Sequence, residues 1–232
     1  MDYIVRNPVT REFRSLPRPH KAYRHVAVAF ICKGSNATPL DGIEYEVIRA
    51  GILQPWKLTR TLEIDTFSSV TNRWTAASLE SSSPFALLVA NRPAVVVGEV
   101  IYWGGMSSTV LAYDCAMETV QLIKLPRVTL ETGDFLLGQS EGQLQHGRFD
   151  LDGLEIWVLE DYRRSEWILK HRVSFTEVNH LARSPGWLAP LWLHGFHSNK
   201  SELLFITWSG HPFWIDFKNY TLTETGGGLI MG

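Results

Sequence analysis

The sequence predicts an all-β protein made of small antiparallel sheets, and three observations support this. Short runs rich in β-branched and aromatic residues recur, such as those from His25 to Phe30 and from Glu202 to Ile206. Turn-forming residues bound these runs, and a pair of strands joined by a polar turn repeats five times along the chain. The one candidate helix, residues 175–183, has two turns at most before Ser184-Pro185-Gly186.

Each copy of the repeat has the same parts in the same order. A strand ends in an Asp or Asn anchor, a short polar turn follows, and the next strand carries an apolar partner. The pairs are Asn7 with Phe13, Asp65 with Trp74, Asp114 with Val120, Asp161 with Trp167, and Asp216 with Leu222. The separation is six residues in four copies and nine in the second. An Asp or Asn at a strand end fixes a hairpin because its side chain accepts hydrogen bonds from the turn's own backbone.

The spacing of the anchors indicates the architecture. Successive anchors are 58, 49, 47 and 55 residues apart. A four-stranded blade of a β-propeller needs roughly 40–50 residues. The steps therefore predict a propeller of about five to six small antiparallel blades, with loop insertions, in a single domain over residues 1–232. A β-sandwich is the alternative, which explains the strands but not the repeated anchor.

Composition limits the classes of partner. The net charge of -2 at pH 7 gives no attraction to nucleic acid or to an anionic membrane surface. No apolar run approaches the roughly 18 residues needed to span a bilayer. The segment from Met1 to Arg6 lacks the features of a signal peptide, so we expect a cytoplasmic or nuclear protein that is not secreted. Cys32 and Cys115 are expected to be two buried, reduced thiols.

No residue pattern makes a good case for an enzyme. The segment Gly138-Gln139-Ser140-Glu141-Gly142 matches the nucleophile elbow of hydrolases, but a polar, glycine-broken stretch follows it, so we expect a hairpin turn. His194 and His197 lack a third metal ligand nearby. Residues 226–228 are three glycines without the lysine of a phosphate-binding loop. We therefore expect no catalytic residue, no metal and no cofactor.

Five residues in loop-like segments are the candidate partner-binding residues. Trp, Tyr and Arg are the usual anchors of protein interfaces, and propeller loops escape the packing constraints of the blades. The five are Trp56, Tyr162, Arg163, Arg164 and Trp187. The alternative is that these side chains pack between blades.

Three segments, taken in order, resemble motifs of the F-box-associated domain of plant F-box proteins. The first is NPVTREFRSLP at residues 7–17. The second comprises GEVIYW, LAYD and IKLP between residues 98 and 126. The third is EIWVLED at residues 155–161, followed by Trp167. The resemblance covers nearly the whole chain and implies a kelch-like β-propeller.

The resemblance also implies a function. In that family an N-terminal F-box binds the adaptor of a cullin-based ubiquitin ligase, and this module captures the protein to be ubiquitinated. The chain contains no F-box and starts just before the first anchor. We therefore expect an incomplete first blade, and adaptor binding only if an F-box is supplied elsewhere. Two other readings stay open: a small-molecule or glycan-binding propeller, and a truncated product without function.

Overall fold

Five antiparallel sheets contain the strands of the described residues. The computed structural model describes residues 3–23, 25–33, 43–52, 57–87, 93–105, 108–126, 134–150, 152–174, 176–177 and 191–225. Four of the sheets have four strands and one has two, and neighbouring strands in a sheet are neighbours in the chain. The prediction of small antiparallel sheets in series is therefore confirmed.

Residues 1–123 form the first of two compact units. The strands that begin in it are β1 (Ile4–Arg6), β2 (Phe13–Ser15), β3 (His25–Lys33), β4 (Glu44–Ile52), β5 (Thr59–Ser68), β6 (Arg73–Phe85), β7 (Val95–Val97), β8 (Val100–Gly104), β9 (Thr109–Asp114) and β10 (Thr119–Lys124). The first two strands pair as a hairpin, β3 to β6 form one sheet, and β7 to β10 form the next.

Residues 124–232 form the second unit. Its strands are β11 (Asp134–Ser140), β12 (Gln143–Asp150), β13 (Gly153–Asp161), β14 (Glu166–Ser174), β15 (Leu191–His197), β16 (Lys200–Trp208), β17 (His211–Asp216) and β18 (Thr221–Glu224). The strands β11 to β14 form one sheet, and β15 to β18 form the other. The predicted single domain over residues 1–232 stays a prediction.

Side chains alternate between the two faces of each strand, and this alternation builds the core of the first unit. One face of the β3–β6 sheet packs against the β7–β10 sheet, where Ile48 and Ile101 are buried. The opposite face carries Phe67 and Trp74 and packs against the β1–β2 hairpin. The β3–β6 sheet therefore contributes to two apolar cores, one on each face.

In the second unit, the β11–β14 sheet packs against the β15–β18 sheet. Ile156 from the first sheet and Leu204 from the second are fully buried in this core. Gly138 makes room for the ring of Phe196, because a Cβ atom at Gly138 would lie 2.5 Å from that ring. A larger residue at position 138 would therefore push the two sheets apart.

The predicted anchors form the same turn in four of the five copies. The Oδ1 atom of Asn7, Asp114, Asp161 and Asp216 accepts hydrogen bonds from the N–H groups two and three residues later, at 2.8–3.3 Å. The residue four positions after each anchor has a φ between 50° and 62°. These residues are Arg11, Glu118, Ser165 and Tyr220. We call this structure, from the anchor to the residue of positive φ, the anchor turn.

In the second copy the anchor position belongs to Ser68, and the prediction of Asp65 with a longer turn is wrong. Strand β5 continues past Asp65 to Ser68, and Phe67 lies opposite Trp74. The partner is therefore six residues after the anchor position here too. Asn72, four residues after Ser68, has a φ of 53°.

A backbone hydrogen bond supports this assignment. The N–H group just after the anchor donates to a carbonyl at or just before the second strand of the same sheet. The three bonds of this kind, each 2.9 Å, run from Ser69 to Tyr45, from Cys115 to Glu99 and from Phe217 to Glu202. The second copy is therefore regular, and Asp65 has a different role.

Two smaller expectations concern the candidate helix and the thiols. Within the candidate helix, only residues 176–177 are described, and both are helical. The Ser174 N–H donates to the Glu177 carboxylate at 2.8 Å, and the Glu177 N–H donates to Ser174 Oγ at 3.3 Å, which is a capping box. Both cysteines are free thiols, but Cys32 is exposed and Cys115 is only partly buried, so the expectation of two buried thiols is wrong. Cys32 lies on the first strand of its sheet, where one face is uncovered.

Candidate partner-binding surface

The predicted residues Tyr162, Arg163 and Arg164 lie together in the anchor turn between β13 and β14. Asp161 fixes the backbone of this turn, because its Oδ1 atom accepts hydrogen bonds from the N–H groups of Arg163 at 2.8 Å and Arg164 at 3.2 Å. The Ser165 N–H donates to the Tyr162 carbonyl at 3.4 Å. The three side chains therefore project from a backbone that is held at both ends.

Cationic and aromatic groups share the surface of this turn. The guanidinium carbon of Arg163 lies 5.7 Å from the ring centre of Tyr162, within the range of a cation–π contact. The side chain of Arg164 is 74% exposed, and its Nε atom lies 3.7 Å from Oδ2 of Asp161. Exposed ion pairs of this kind contribute little free energy. The Arg164 guanidinium is thus available to an anionic partner.

The other two predicted residues, Trp56 and Trp187, lie outside the described residues. The structure brings together three of the five candidates, and all three come from one turn. The partner-binding role of all five stays a prediction.

The anchor turns of the other four sheets expose residues of different chemistry. One apolar or aromatic residue in each of these four turns is more than half exposed: Val9, Val70, Met117 and Tyr220. The turn between β13 and β14 is the one anchor turn of the five with two adjacent arginines. It therefore carries more cationic side chains than any of the other four anchor turns and suits an acidic segment of a partner.

Ser140 does not have the exposure that a hydrolase nucleophile needs. It is fully buried at the end of β11, and its hydroxyl donates to the His197 carbonyl at 2.6 Å. Glu141 and Gly142, with φ of 52° and 73°, turn the chain back into β12. The predicted hairpin turn is confirmed.

His194 and His197 each have a partner inside their own sheet. The Nε2 atom of His194 lies 2.7 Å from Oγ1 of Thr207. The Nδ1 atom of His197 accepts a hydrogen bond from the Asn199 N–H at 3.2 Å. Within the part of the chain that the structure describes, no group of three or more His, Cys, Asp or Glu side chains could hold a metal ion.

A buried ion pair explains Asp65. The Arg49 Nη1 atom on β4 lies 3.1 Å from Oδ2 of Asp65 on β5, and both side chains are 3% exposed. The rings of Tyr3, Tyr23 and Trp74 surround the guanidinium group, with centres 5.1–5.5 Å from its carbon. Burial raises the pKa of the Asp65 carboxyl even though Arg49 opposes the shift. The pair lies within the core that joins the hairpin to the β3–β6 sheet.

The second unit has a comparable carboxylate. Glu155 on β13 lies opposite Arg148 on β12, just as Asp65 lies opposite its arginine. Glu155 accepts hydrogen bonds from Arg172 and, at 3.0 Å, from Trp157. Burial opposes ionisation of Glu155, but these hydrogen bonds and the nearby arginines outweigh it and lower its pKa. Both buried carboxylates are thus engaged by arginines of neighbouring strands.

Trp192, which no sequence motif indicated, is 56% exposed on β15. The same face carries His194 and Phe205, whose ring centres are 5.6 Å apart, and Trp214, whose ring centre is 5.2 Å from that of Phe205. Leucine alternates with other residues at positions 191–194, and this pattern could have indicated that the strand has two different faces. The pattern does not tell which of the two faces another element covers.

A cavity of about 440 Å³ lies in the first unit beside β4, β5 and the end of β6. Leu62 and Phe85 contribute to its apolar wall, and its charged residues are Lys57 and Glu63. The Glu63 carboxylate already accepts a hydrogen bond from Lys21 at 2.6 Å. The cavity has the volume of a small-molecule pocket, but Glu63, one of the two charged residues that line it, already binds Lys21.

The described residues contain no helix that is long and apolar enough to cross a membrane.

The small four-stranded sheets, their common anchor turn and the exposed turn tips define a repeat protein of the β-propeller class. The model of one family, described as F-box protein At3g26010-like, beta-propeller, matches residues 1–210, and the chain belongs to this family. The predicted propeller fold and the resemblance to plant F-box proteins are confirmed.

Two individual proteins are similar to the chain. The F-box protein At5g03970 of Arabidopsis thaliana is 28% identical over 213 residues, which cover 88% of this chain and 50% of that protein. The chain thus spans about half the length of this relative. A solved structure titled "Crystal structure of HIRA(644-1017)" has 13% identity and a TM-score of 0.36, and the match covers 90% of this chain and 57% of that one. At this TM-score the likeness carries no weight for fold or function.

Proposed function

We propose that this chain is a protein-recognition module of a ubiquitin ligase receptor, which binds a target protein and presents it for ubiquitination. The observation that carries the proposal is membership of an F-box protein family over residues 1–210. The F-box of such proteins binds the ligase adaptor, and the attached module captures the target. The buried hydroxyl of Ser140 and the arginine-bound carboxylates favour binding over catalysis.

The surface proposed for the target is the anchor turn with Tyr162, Arg163 and Arg164. Asp161 holds its backbone, so little conformational entropy is lost when a partner binds. An arginine can form two parallel hydrogen bonds with a carboxylate, and the tyrosine ring adds apolar contact area. The target segment is therefore acidic, and its binding weakens as salt concentration rises.

The ligase role depends on an F-box. The chain spans half the length of its F-box relative, so contact with the adaptor is proposed for a polypeptide that supplies an F-box. The proposed compartment is the cytoplasm or the nucleus, where free thiols such as Cys32 and Cys115 stay reduced.

Affinity purification from plant cell extract tests the recognition function. The baits are this chain and the same chain with a grafted F-box, and co-eluting proteins are identified by mass spectrometry. We expect one specific protein with both baits, and ligase subunits with the grafted bait alone. Two folded baits that bring down no specific protein would contradict the proposal.

Variants of the turn test the surface. The double variant Arg163→Ala/Arg164→Ala should reduce target affinity at least tenfold, since arginine contacts at interface hot spots contribute about 2 kcal/mol or more. The matched control is Arg11→Ala/Lys218→Ala, which removes one cation from each of two other anchor turns. Equal losses in both double variants would show that overall charge, not this turn, binds the target.

The exposed aromatic face of β15 supports a second candidate function, the binding of a glycan. Trp192 could stack on a sugar ring beside His194, as exposed indoles do in glycan sites. A thermal-shift screen with neutral sugars tests it. We expect stabilisation of the chain and its loss in Trp192→Ala; a screen without any shift would reject this candidate.

A further inference from the structure

The cavity in the first unit is lined in the manner of a small-molecule site. Its volume is about 440 Å³, and pockets for small molecules are mostly apolar and typically enclose about 300–1,000 Å³. Leu62, Phe85 and Leu87 line the cavity, and each is at most 4% exposed. All three also belong to the core between the β3–β6 and β7–β10 sheets. The packing of that core holds the apolar wall in place before any ligand binds.

Among the described lining residues, Glu63 supplies the one carboxylate, and it is already neutralised. Its Oε2 atom accepts a hydrogen bond from Lys21 Nζ at 2.6 Å, and its Oε1 atom accepts one from the Ser78 hydroxyl at 2.8 Å. These two hydrogen bonds lower the pKa of the Glu63 carboxyl. The carboxylate is therefore ionised at neutral pH and paired with Lys21, so it does not favour a cationic ligand.

Lys57 is the lining cation that has no anionic partner among the described residues. It is exposed and lies two residues before β5. Thr61 on β5 also lines the cavity, and its hydroxyl has no hydrogen-bond partner within the described part of the chain. Two lysines and one glutamate, with Lys21 included, leave a single positive charge at the cavity. An ammonium group and a hydroxyl beside an apolar wall suit a ligand with one anionic end.

We propose that this cavity binds a small apolar carboxylic acid. The apolar body of the acid packs against Leu62 and Phe85, and its carboxylate accepts hydrogen bonds from Lys57 and Thr61. The inference goes beyond the proposed recognition function and does not rest on it, because the cavity belongs to the first unit and the candidate turn to the second.

The single unpaired cation favours a carboxylate over a phosphate or a neutral group. A phosphate monoester carries a charge of about −1.5 to −2 at neutral pH and three strong acceptor oxygens, so it calls for several cationic donors. A carboxylate carries one charge, which one ammonium group neutralises. An uncharged apolar molecule would contact the same wall but would gain nothing from Lys57. The acid should therefore bind more tightly than a neutral molecule of the same shape.

Calorimetric titration of the whole chain with phenylbutyrate and, separately, with octanoate tests the proposal. Phenylbutanamide and octanamide are the matched neutral ligands, since they keep the apolar body and lose the charge. Each acid that binds should do so about tenfold more tightly than its amide, because charge-assisted hydrogen bonds are stronger than neutral ones. Equal affinities for acid and amide, or no binding of either acid at millimolar concentrations, would overturn the proposal.

Variants of Lys57 test the group that binds the carboxylate. Lys57→Met should weaken the binding of the acids about tenfold and leave the amides unaffected, and Lys57→Arg should preserve acid binding. Because Lys57 is exposed, both variants should melt at the temperature of the parent. The matched control is Arg60→Met, which removes a cation of β5 that donates to the Ser82 carbonyl at 2.7 Å and does not line the cavity. An equal loss in Arg60→Met would show that overall charge attracts the acids, and the proposal would fail.

A variant that fills the cavity tests where the ligand binds. Ala86 lines the cavity and is 5% exposed, so Ala86→Leu should reduce the free volume and weaken the binding of both acids and amides about tenfold. If Ala86→Leu melts at a lower temperature than the parent, Thr61→Phe replaces it, since Thr61 is exposed. Unchanged binding in a folded, filled variant would place the ligand elsewhere and overturn the proposal.

Discussion

A single side-chain oxygen holds four of the five anchor turns, and Asp161 is the most useful of these residues to test. Its Oδ1 atom accepts two backbone hydrogen bonds in the turn that carries the candidate surface. Asp161→Ala should lower the free energy of unfolding by about 1–2 kcal/mol, since each hydrogen bond contributes about 1 kcal/mol. Urea denaturation measures this difference.

Asp161→Asn is the matched control for this prediction. The amide keeps the Oδ1 acceptor, and the first anchor turn already uses Asn7 in the same geometry. The Asn variant should therefore lie within about 0.5 kcal/mol of the parent. Equal losses in the Ala and Asn variants would mean that the charge of Asp161, not its acceptor, stabilises the turn.

The two thiols should differ in reactivity. Burial raises the pKa of Cys115 to about 11, so its nucleophilic thiolate is scarce at pH 8, whereas Cys32 is exposed. Iodoacetamide at pH 8 should modify Cys32 at least tenfold faster than Cys115, as measured by mass spectrometry of tryptic peptides. The difference should disappear in urea, and its persistence there would contradict burial as the cause.

Among the elements, the β4–β5 strand pair depends on its buried ion pair. Asp65→Asn would leave the Arg49 guanidinium in the core without its counter-charge, which typically costs about 3–5 kcal/mol. The control on the same strand is Glu63→Gln, which breaks only a more exposed ion pair with Lys21 and should cost less than 1 kcal/mol. Equal effects of the two variants on the urea midpoint would contradict the core role of Asp65.

The strand boundaries explain one error of the sequence analysis. Asp65 and Ser68 both precede Trp74, and an aspartate is the more familiar anchor. The residue that binds the Asp65 carboxylate is Arg49, which lies 16 residues earlier in the chain, so no local pattern links the two. The carboxylate belongs to a buried pair that only the register of β4 and β5 brings together.

At the scale of the whole molecule, acid should weaken the fold through His171. This side chain is half-buried in the second unit, stacked on Phe217 with ring centres 5.1 Å apart. Burial, aided by Lys170, lowers its pKa, although Glu202, Asp216 and Glu141 favour the charged form. The folded state thus binds the proton more weakly than the unfolded state does. Stability from this group is complete above the ordinary pKa of about 6.5 and is lost as pH falls below it.

Urea denaturation between pH 7.5 and 5.5 tests this linkage. His171→Phe keeps the stacking on Phe217 and removes the titrating group, so its stability should fall less with acid than that of the parent. A one-unit pKa difference would correspond to about 1.4 kcal/mol. Parallel pH profiles for parent and variant would exclude His171 as the cause.

Much of the repeat could be predicted from sequence because its signals are local. A strand, an anchor and a partner six residues later lie within one hairpin, and four of the five copies were located correctly. Exposure could not be predicted in the same way. The alternation around Cys32 and Trp192 indicates two faces, but which face is covered depends on strands that are distant in sequence. The three clustered candidates share one turn, so their proximity followed from the sequence alone.

The anchor turn also bears on how such a protein acquires partners. The anchor and the residue of positive φ fix the ends, while the two tip residues between them, such as Arg163 and Arg164, are exposed in every copy. Substitutions at the tips therefore escape the selection that acts on folding. A lineage built on this turn could change its targets two residues at a time, and an engineer could exchange tips between sheets without redesigning the scaffold.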